Sequence, residues 1–407
     1  MSEQPIARSA KSRIINEDLE KIKFIFQAAD QSINQGVISA LLAIATNCGA
    51  SDVHLEPMRE DLLVRFRIDG VLYDIFSIPK SKEQNVLSCV KVMANLNIAE
   101  KRLPQDGRLE IKFKNSIIKI RVSTIQQIFG EKAVIRIFGQ NLDLSNFESL
   151  GFSPENKEKF EQMIYKKSGL VIVTGATNSG KTTTLYAAMN KLKKPDINIV
   201  SAEDPVEYIV DRINQIQVNP SINFDYATVL RAILRQDPDV VIVGEIRDFE
   251  SAHIATRAAL TGHLILTTFH AHRPTICITR LIDMGIMPFL LASSLNGIVV
   301  QKLARRICPN CITEIKDEKH DILGGKPHFK GRGCNLCNFT GSRGRIALHE
   351  IMVVSGNIKK LIQDKAEGVD IFKQAKTEGM KTMMEDAMEK VKSGIISIEE
   401  AISLTAD

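Results

Sequence analysis

The chain has 407 residues, more than one ordinary core organises, so two or three domains are expected. Hydrophobic residues make up 44% and charged residues 25%, a profile that sets aside a fibrous or disordered chain and fits a soluble globular protein. A net charge of +5 over this length is mild; it permits contact with anionic lipid or nucleic acid and argues for neither.

Residues 1–15 are polar and mixed in charge with no apolar centre, so they are expected to be disordered and carry no signal peptide. Residues 1–30 are taken as a tail. Seven cysteines without such a peptide point to a reducing cytosol and to thiols or metal rather than disulfides. From Asn16 to Asn47 the apolar spacing is helical, ending near Gly49. Short alternating runs follow: DVHLEP, DLLVRFRIDGVLYDIF, RLEIKFK, IIKIRVSTI and KAVIRIFG. They read as strands interrupted by a helix in NVLSCVKVMANLN, which predicts a small α+β domain over 31–138. Within it Arg65 and Arg67 share a strand face and Asp69-Gly70 predicts a tight turn. Arg102, Arg108, Arg121 and Arg136 lie further on. Such arginines form either a solvated sheet face or donors delivered to the γ-phosphate of a nucleotide bound elsewhere.

The polar, turn-rich segment 139–154 predicts a linker. Continuous apolar runs then appear at 170–174, 197–202, 240–244 and 263–268, separated by helical stretches. Strands buried on both faces suggest a parallel sheet with covering helices, an α/β core over 155–305. The uncharged run between Asp283 and Lys302 contains Pro288, Ser293, Ser294, Asn296 and Gly297, so it predicts a buried helix of the core and not a membrane span. A cysteine-bearing element is expected over 306–345, and helical, charged text from His349 to the end gives a C-terminal helical region over 346–407. No repeat or low-complexity tract is present.

LVIVT leads directly into Gly175, Ala176, Thr177, Asn178, Ser179, Gly180, Lys181, Thr182 and Thr183, and a helix follows. This strand–loop–helix context fits G-x-x-x-x-G-K-[ST], the phosphate loop of an ATP-binding protein. The glycines let backbone N–H groups turn inward around phosphate, and the helix N-terminus favours the anion. Lys181 is expected to reach the β- and γ-phosphates and Thr182 to hold Mg²⁺. Asn178 stands where many such loops have glycine; of the other residues, asparagine best tolerates positive φ. Hydrolysis also needs acids. Glu203, Asp204 and Glu207 follow one core strand and Glu245 another, with Gly244 where an aspartate is common. His263 and His270 bracket a core strand and are candidate sensors of the γ-phosphate. Cys308-x-x-Cys311 and Cys334-x-x-Cys337 have the spacing of a closed, four-thiolate structural Zn²⁺ site. Cys48, Cys89 and Cys277 stand alone and read as small buried residues.

Taken together the motifs resemble the secretion ATPases of the type II secretion and type IV pilus assembly class, from about Ala50 to the C-terminal region. ASDVHLEP, VRFRIDGVL, RLPQDGRLEI and RVSTIQQIFGEKAVIRI look like the family's first-domain signatures. AEDPVE is similar to its aspartate box, LRAILRQDPDVVIVGEIRD to its Walker B, TGHLILTTFHAH to its histidine box, and CNLCNFTGSRGRIALHE to the end of its zinc element. The resemblance implies a homo-hexamer of subunits with an N-terminal PAS-like α+β domain and a RecA-like phosphate-loop domain, ATP lying between the two. Domain closure would push on a polytopic inner-membrane platform protein, with the chain cytoplasmic and peripheral at that membrane and no direct nucleic acid. It makes Glu245 the Walker B glutamate and Glu203 the aspartate-box acid. Arg108 and Arg121 become the fingers, and Arg231 and Arg235 add charge at the site. The cysteine pairs favour an assembly motor over a retraction motor. Only about fifty residues precede the resemblance, where longer members carry a membrane-docking module. HAHRP also departs from the usual text after the histidine box. Two other functions compete: a motor for DNA uptake or conjugation, and a nucleotide-gated scaffold with weak turnover.

Overall fold

The computed structural model describes residues 17–28, 33–113, 116–138, 146–315 and 328–406. The segment 1–15, expected to be disordered, lies outside them. The chain divides into two compact units, one made of residues 1–142 with 308–311 and 331–344, the other of 143–307, 312–330 and 345–407.

The first unit begins with α1 (Glu17–Gln27) and α2 (Gln35–Asn47). The expected tail is not wholly one: Ile22 and Phe26 of α1 are buried, and Phe26 meets Phe76 at 5.6 Å between ring centroids. An apolar pair at i and i+4 gives even a short helix a face to dock. The single helical stretch expected over 16–47 is two helices, the second started by Asn34, whose side chain accepts from Val37 N. Strands β1 (Ala50–Pro57), β2 (Asp61–Ile68) and β3 (Val71–Pro79) follow, then α3 (Glu83–Met93), β4 (Gln105–Phe113), β5 (Ser116–Gln127) and β6 (Gly130–Ile137). They pair in the order β3-β2-β1-β6-β5-β4. The β2–β3 turn has Asp69 at φ 49° and Gly70 at φ 87°, the two left-handed residues a tight hairpin requires. Alternation places Val53, Leu55, Val64, Phe66, Val122 and Ile135 in an apolar core with the helices. The other face is charged. Arg108 pairs in register with Arg121, Arg121 with Arg136, Arg136 with Asp52, and Asp52 with Arg67, so four guanidinium groups and one carboxylate form a row across five strands.

The second unit contains α4 (Pro154–Ile164), β7 (Gly169–Thr174), α5 (Lys181–Leu192), β8 (Ile199–Glu203), β9 (Asn214–Gln217) and α6 (Tyr226–Ile233). Next come β10 (Val240–Val243), α7 (Phe249–Leu260), β11 (Leu264–Phe269), α8 (Pro274–Asp283), α9 (Pro288–Ser294) and β12 (Leu295–Ile307). The short ribbon β13 (Ile312–Ile315) and β14 (His328–Gly331) precedes β15 (Ser342–Val353), and helices α10 (Gly356–Gln363), α11 (Gly368–Thr377), α12 (Met383–Lys392) and α13 (Ile398–Thr405) close the chain. The large sheet runs β15-β12-β7-β11-β10-β8-β9. The pairs from β12 through β9 are parallel. Residues alternate between two cores: Leu170, Ile172, Val241 and Ile265 face one, Val171, Val173, Ile242 and Leu266 the other. Burial on both faces is why these strands are continuously apolar.

Three expectations change here. The uncharged run after Asp283 is no single helix: α9 ends at Ser294 and the rest is β12. Gly297 has no room for a Cβ, which would fall 1.9 Å from Met163 Sδ, so the segment suits close strand packing. His349 opens no helical tail but lies in β15. Of the expected linker 139–154, residues 139–145 lie outside the described ones, while Phe147 and Phe152 are buried with Phe160 in an aromatic cluster.

Candidate active site and metal centre

In a parallel sheet every strand points its C-terminal end the same way, so the loops at that edge can share one site. The loop 175–180 leaves β7 there, Glu203 ends β8, Glu245 follows β10 after Gly244, and His270 follows β11. The hydroxyl of Thr174 ties two of these together, donating to Ala271 O at 2.9 Å and accepting from Ala271 N at 2.7 Å.

The loop's backbone explains its sequence. Gly175 has φ 152°, Asn178 φ 63° and Gly180 φ 86°. Asparagine is thus the residue that adopts the left-handed conformation here. Lys181 opens α5, buried, and its ammonium donates to Gly175 O at 2.9 Å and Ala176 O at 2.8 Å. Burial lowers its pKa, and the nearby Glu245 carboxylate opposes that shift. Thr182 occupies the first turn of the same helix.

Glu245 is held between two side chains. Arg247 Nη2 donates to one carboxylate oxygen and His270 Nε2 stands 3.5 Å from the other. That contact raises the pKa of Arg247, whose guanidinium also lies 3.7 Å from Asp204. The aspartate common at the place of Gly244 would displace Tyr226: a Cβ there would lie 2.6 Å from its hydroxyl. Glu203, on the strand beside β10, is buried and fully engaged. It accepts from the Tyr186 hydroxyl, from Ser201 Oγ at 2.6 Å and from Gln215 Nε2 at 3.0 Å. Burial, then this bond to Glu203, raises the pKa of Tyr186.

Not every candidate gathers at this edge. His263 precedes β11, where its carbonyl accepts from Gly169 N at 3.1 Å and its Nδ1 lies 3.1 Å from Ala258 O. A six-residue strand, about 20 Å long, separates it from His270. The two ends of one strand cannot serve one phosphate, and His263 caps α7 instead. Arg231 pairs with Glu250, and Arg235 donates to Arg231 O at 2.7 Å; neither is bonded to the phosphate loop. In the first unit Arg108 and Arg121 are cross-strand neighbours, and Arg121 Nη2 stands 3.0 Å from Asp106. Arg247, Tyr186 and Gln301 went unnoticed in the sequence. Arg247 was legible beside Glu245; the two others owe their places to tertiary contacts.

The four cysteines converge. Cys308 and Cys334 sulfurs are 3.8 Å apart, as are Cys311 and Cys337, and Cys334 and Cys337. A tetrahedron with metal–sulfur bonds of about 2.3 Å has edges of about 3.8 Å, so the cluster has the size Zn²⁺ requires. Gly333 N and Gly341 N donate to Cys311 and Cys337 sulfurs at 3.3 Å each, the outer bonds that stabilise thiolates. The Asn310 amide, donating to Cys334 Sγ, lowers the pKa of that thiol, whereas burial raises those of Cys308 and Cys311. The segments bearing these cysteines, expected as an element of their own, cluster with the first unit, where Gly344 N donates to Asp69 Oδ2 at 2.9 Å.

A phosphate loop and a strand-end glutamate on a parallel α/β sheet define a RecA-like phosphate-loop NTPase. Residues 27–403 match the model of the type II/IV secretion system protein family, and the chain belongs to that family. It is 41% identical over 387 residues to the type IV pilus assembly ATPase PilB of Thermus thermophilus, covering 93% of this chain and 44% of that protein. It is 40% identical to the type II secretion system ATPase E of Vibrio cholerae, covering 96% and 79%. With the Pseudomonas aeruginosa type II secretion system protein HxcR it shares 42% identity over 96% of this chain and 81% of that one. Among solved structures, the Legionella pneumophila ATPase DotB superposes with a TM-score of 0.70 at 19% identity, covering 93% of this chain and 98% of that chain, a likeness of fold. The pilus retraction motor PilT with bound ADP gives a TM-score of 0.64 at 25% identity, covering 91% and 97%.

Proposed function

We propose that the chain is the subunit of a homo-hexameric motor that hydrolyses Mg-ATP to drive assembly of a type IV pilus or a type II secretion pseudopilus. It would act from the cytoplasmic side, peripheral at the inner membrane, against a polytopic platform protein. The observation that carries the reading is Glu245, held between Arg247 and His270 at the sheet edge from which the Lys181 loop departs. Relatives named for pilus assembly and for type II secretion supply the machine class. Two fifths identity over nearly the whole chain favours these machines over a DNA motor.

In this reading the loop N–H groups and Lys181 bind the phosphates, Thr182 holds Mg²⁺, and Glu245 orients and activates the attacking water. His270 reports the γ-phosphate to Glu245. Arg108 and Arg121 supply the positive charge that the transferring phosphoryl group needs, and Arg136 extends their row. Glu203 acts through its hydrogen bonds as an anchor for the edge rather than on water. Mg²⁺ supplies charge neutralisation at the β- and γ-phosphates. Zn²⁺ is structural, since four thiolates leave no open position.

Steady-state hydrolysis by wild type and Glu245→Gln, with molecular size measured in the same buffer, tests this. Wild-type turnover reduced about a hundredfold or more in the variant, with a hexamer-sized species, is the expected result. Equal turnover in both removes Glu245 from catalysis. ATP bound with no turnover in either shifts the reading to a nucleotide-gated scaffold.

A further inference from the structure

Gln301 lies in β12, one residue beyond the pairing of Val300 with Thr174, so it stands beside the start of the phosphate loop. It is buried, in a strand whose preceding residues Ile298, Val299 and Val300 are wholly apolar. A primary amide in such a place needs partners for its N–H and C=O groups. The loop and its helix supply one to each end of the amide. Nε2 donates to Ser179 O at 2.8 Å, and Oε1 accepts from Thr184 Oγ1 at 2.7 Å. The two bonds straddle Gly180 and Lys181. The contact is also close: a Cβ on Gly175 would meet Gln301 O at 2.3 Å, and one on Gly180 would meet Gln301 Nε2 at 2.7 Å.

We propose that Gln301 is a positioning residue of the nucleotide site, fixing the orientation of the Ser179–Gly180 peptide and the start of α5 so that the loop is built to receive phosphate before it binds. The reason is geometric. In a planar trans peptide the carbonyl and the N–H point in opposite directions. Turning the Ser179 carbonyl toward β12 therefore aims the Gly180 N–H away from the sheet strand. The Thr184 bond fixes the helix turn whose first residue is Lys181. Neither partner can turn to another without leaving a buried group unpaired. Preorganisation of this kind lowers the ordering cost of binding.

The inference rests on the reading of 175–182 as a nucleotide cradle, and the test separates the two. Binding of ADP with Mg²⁺ is measured by calorimetry on full-length wild type, Gln301→Glu, Thr184→Val and Thr184→Ser. Gln301→Glu keeps size and the acceptor to Thr184 but sets a carboxylate oxygen against Ser179 O. Thr184→Val keeps shape and removes the hydroxyl, and Thr184→Ser restores it. ADP affinity is expected to fall about tenfold or more in Gln301→Glu and Thr184→Val, and to recover most of that loss in Thr184→Ser, with the unfolding transition intact. Native affinity in a folded Gln301→Glu or in Thr184→Val overturns the proposal. If Gln301→Glu fails to fold, the threonine pair decides. A wild type that binds no ADP instead sinks the nucleotide reading itself.

Discussion

At the scale of single residues, the site is shaped by what there is no room for. Gly244 is glycine because the Tyr226 hydroxyl occupies the space of a Cβ. Gly244→Ala is expected to cut ATP turnover at least tenfold by displacing the Glu245 turn, and Tyr226→Phe in the same chain to recover part of it by removing the colliding oxygen; steady-state hydrolysis checks both. His349 is a different case. It is fully buried, and its ring lies against that of Phe152 at 3.9 Å between centroids. Burial, with Lys390 adding repulsion, holds its pKa well below the ordinary 6.5. The folded chain therefore stays neutral where the unfolded chain takes up a proton. Stability from this group is complete above pH 6.5 and declines as pH falls below it, by up to about 1.4 kcal/mol per pH unit. His349→Phe is expected to flatten the fall in melting temperature between pH 7.5 and 5.5. The buried carboxyls Asp386 and Glu350 are shifted upward from 3.8 and 4.5, so their effect runs with the opposite sign. Both proteins share that effect, so the difference between them isolates His349.

At the scale of elements, β12 connects more than its length suggests. It places Gln301 at the phosphate loop, and Arg305 further along forms bonds to Glu400 of α13 through its backbone N and Nε, both at 2.9 Å. The residue after its end is Cys308, the first thiolate. The cysteine segments have little apolar core of their own. Cys308 and Cys337 are buried, whereas Leu336 and Phe339 are exposed. Four sulfurs about a metal can replace the missing core. Purified protein is expected to contain about one zinc per chain, and stripping it with a strong chelator to lower the melting temperature and raise proteolysis within 308–341. A metal-free protein with unchanged melting and cleavage would contradict the assignment.

At the scale of the whole molecule, the proposed ring makes its own demand. In the proposed ring the arginines of the first unit are expected to act on a neighbouring chain's nucleotide. Arg121→Ala and Glu245→Gln are each expected to be inactive alone. Mixed before assembly, they should regain measurable ATP hydrolysis, because some sites then combine an intact Glu245 with an intact arginine from another chain. No recovery in mixtures that form hexamer-sized particles would place the arginine within its own subunit. Among the described residues no helix is long and apolar enough to cross a membrane.

Local chemistry made much of this legible in advance. The strand–loop–helix around Lys181, Asp69-Gly70 at a hairpin, four cysteines in two C-x-x-C pairs and the apolar runs of a parallel sheet each depend on neighbours within a few residues, and such patterns survive in a sequence read alone. The docking of helix α1, the strand of the β12 segment and the strand of β15 are not legible in this way, because the burial that decides them comes from partners far along the chain. The kinds of site are written in local text: a phosphate cradle, strand-end acids and a thiolate cluster. Which side chains stand at them depends on the folded chain. It sent His263 to the wrong end of its strand and tied up Glu203 with Tyr186, Ser201 and Gln215. It also brought Arg247 onto Glu245 and Gln301 under the loop. The reason is physical: a motif specifies a local conformation, but which side chains meet across a sheet edge is set by strand order and register.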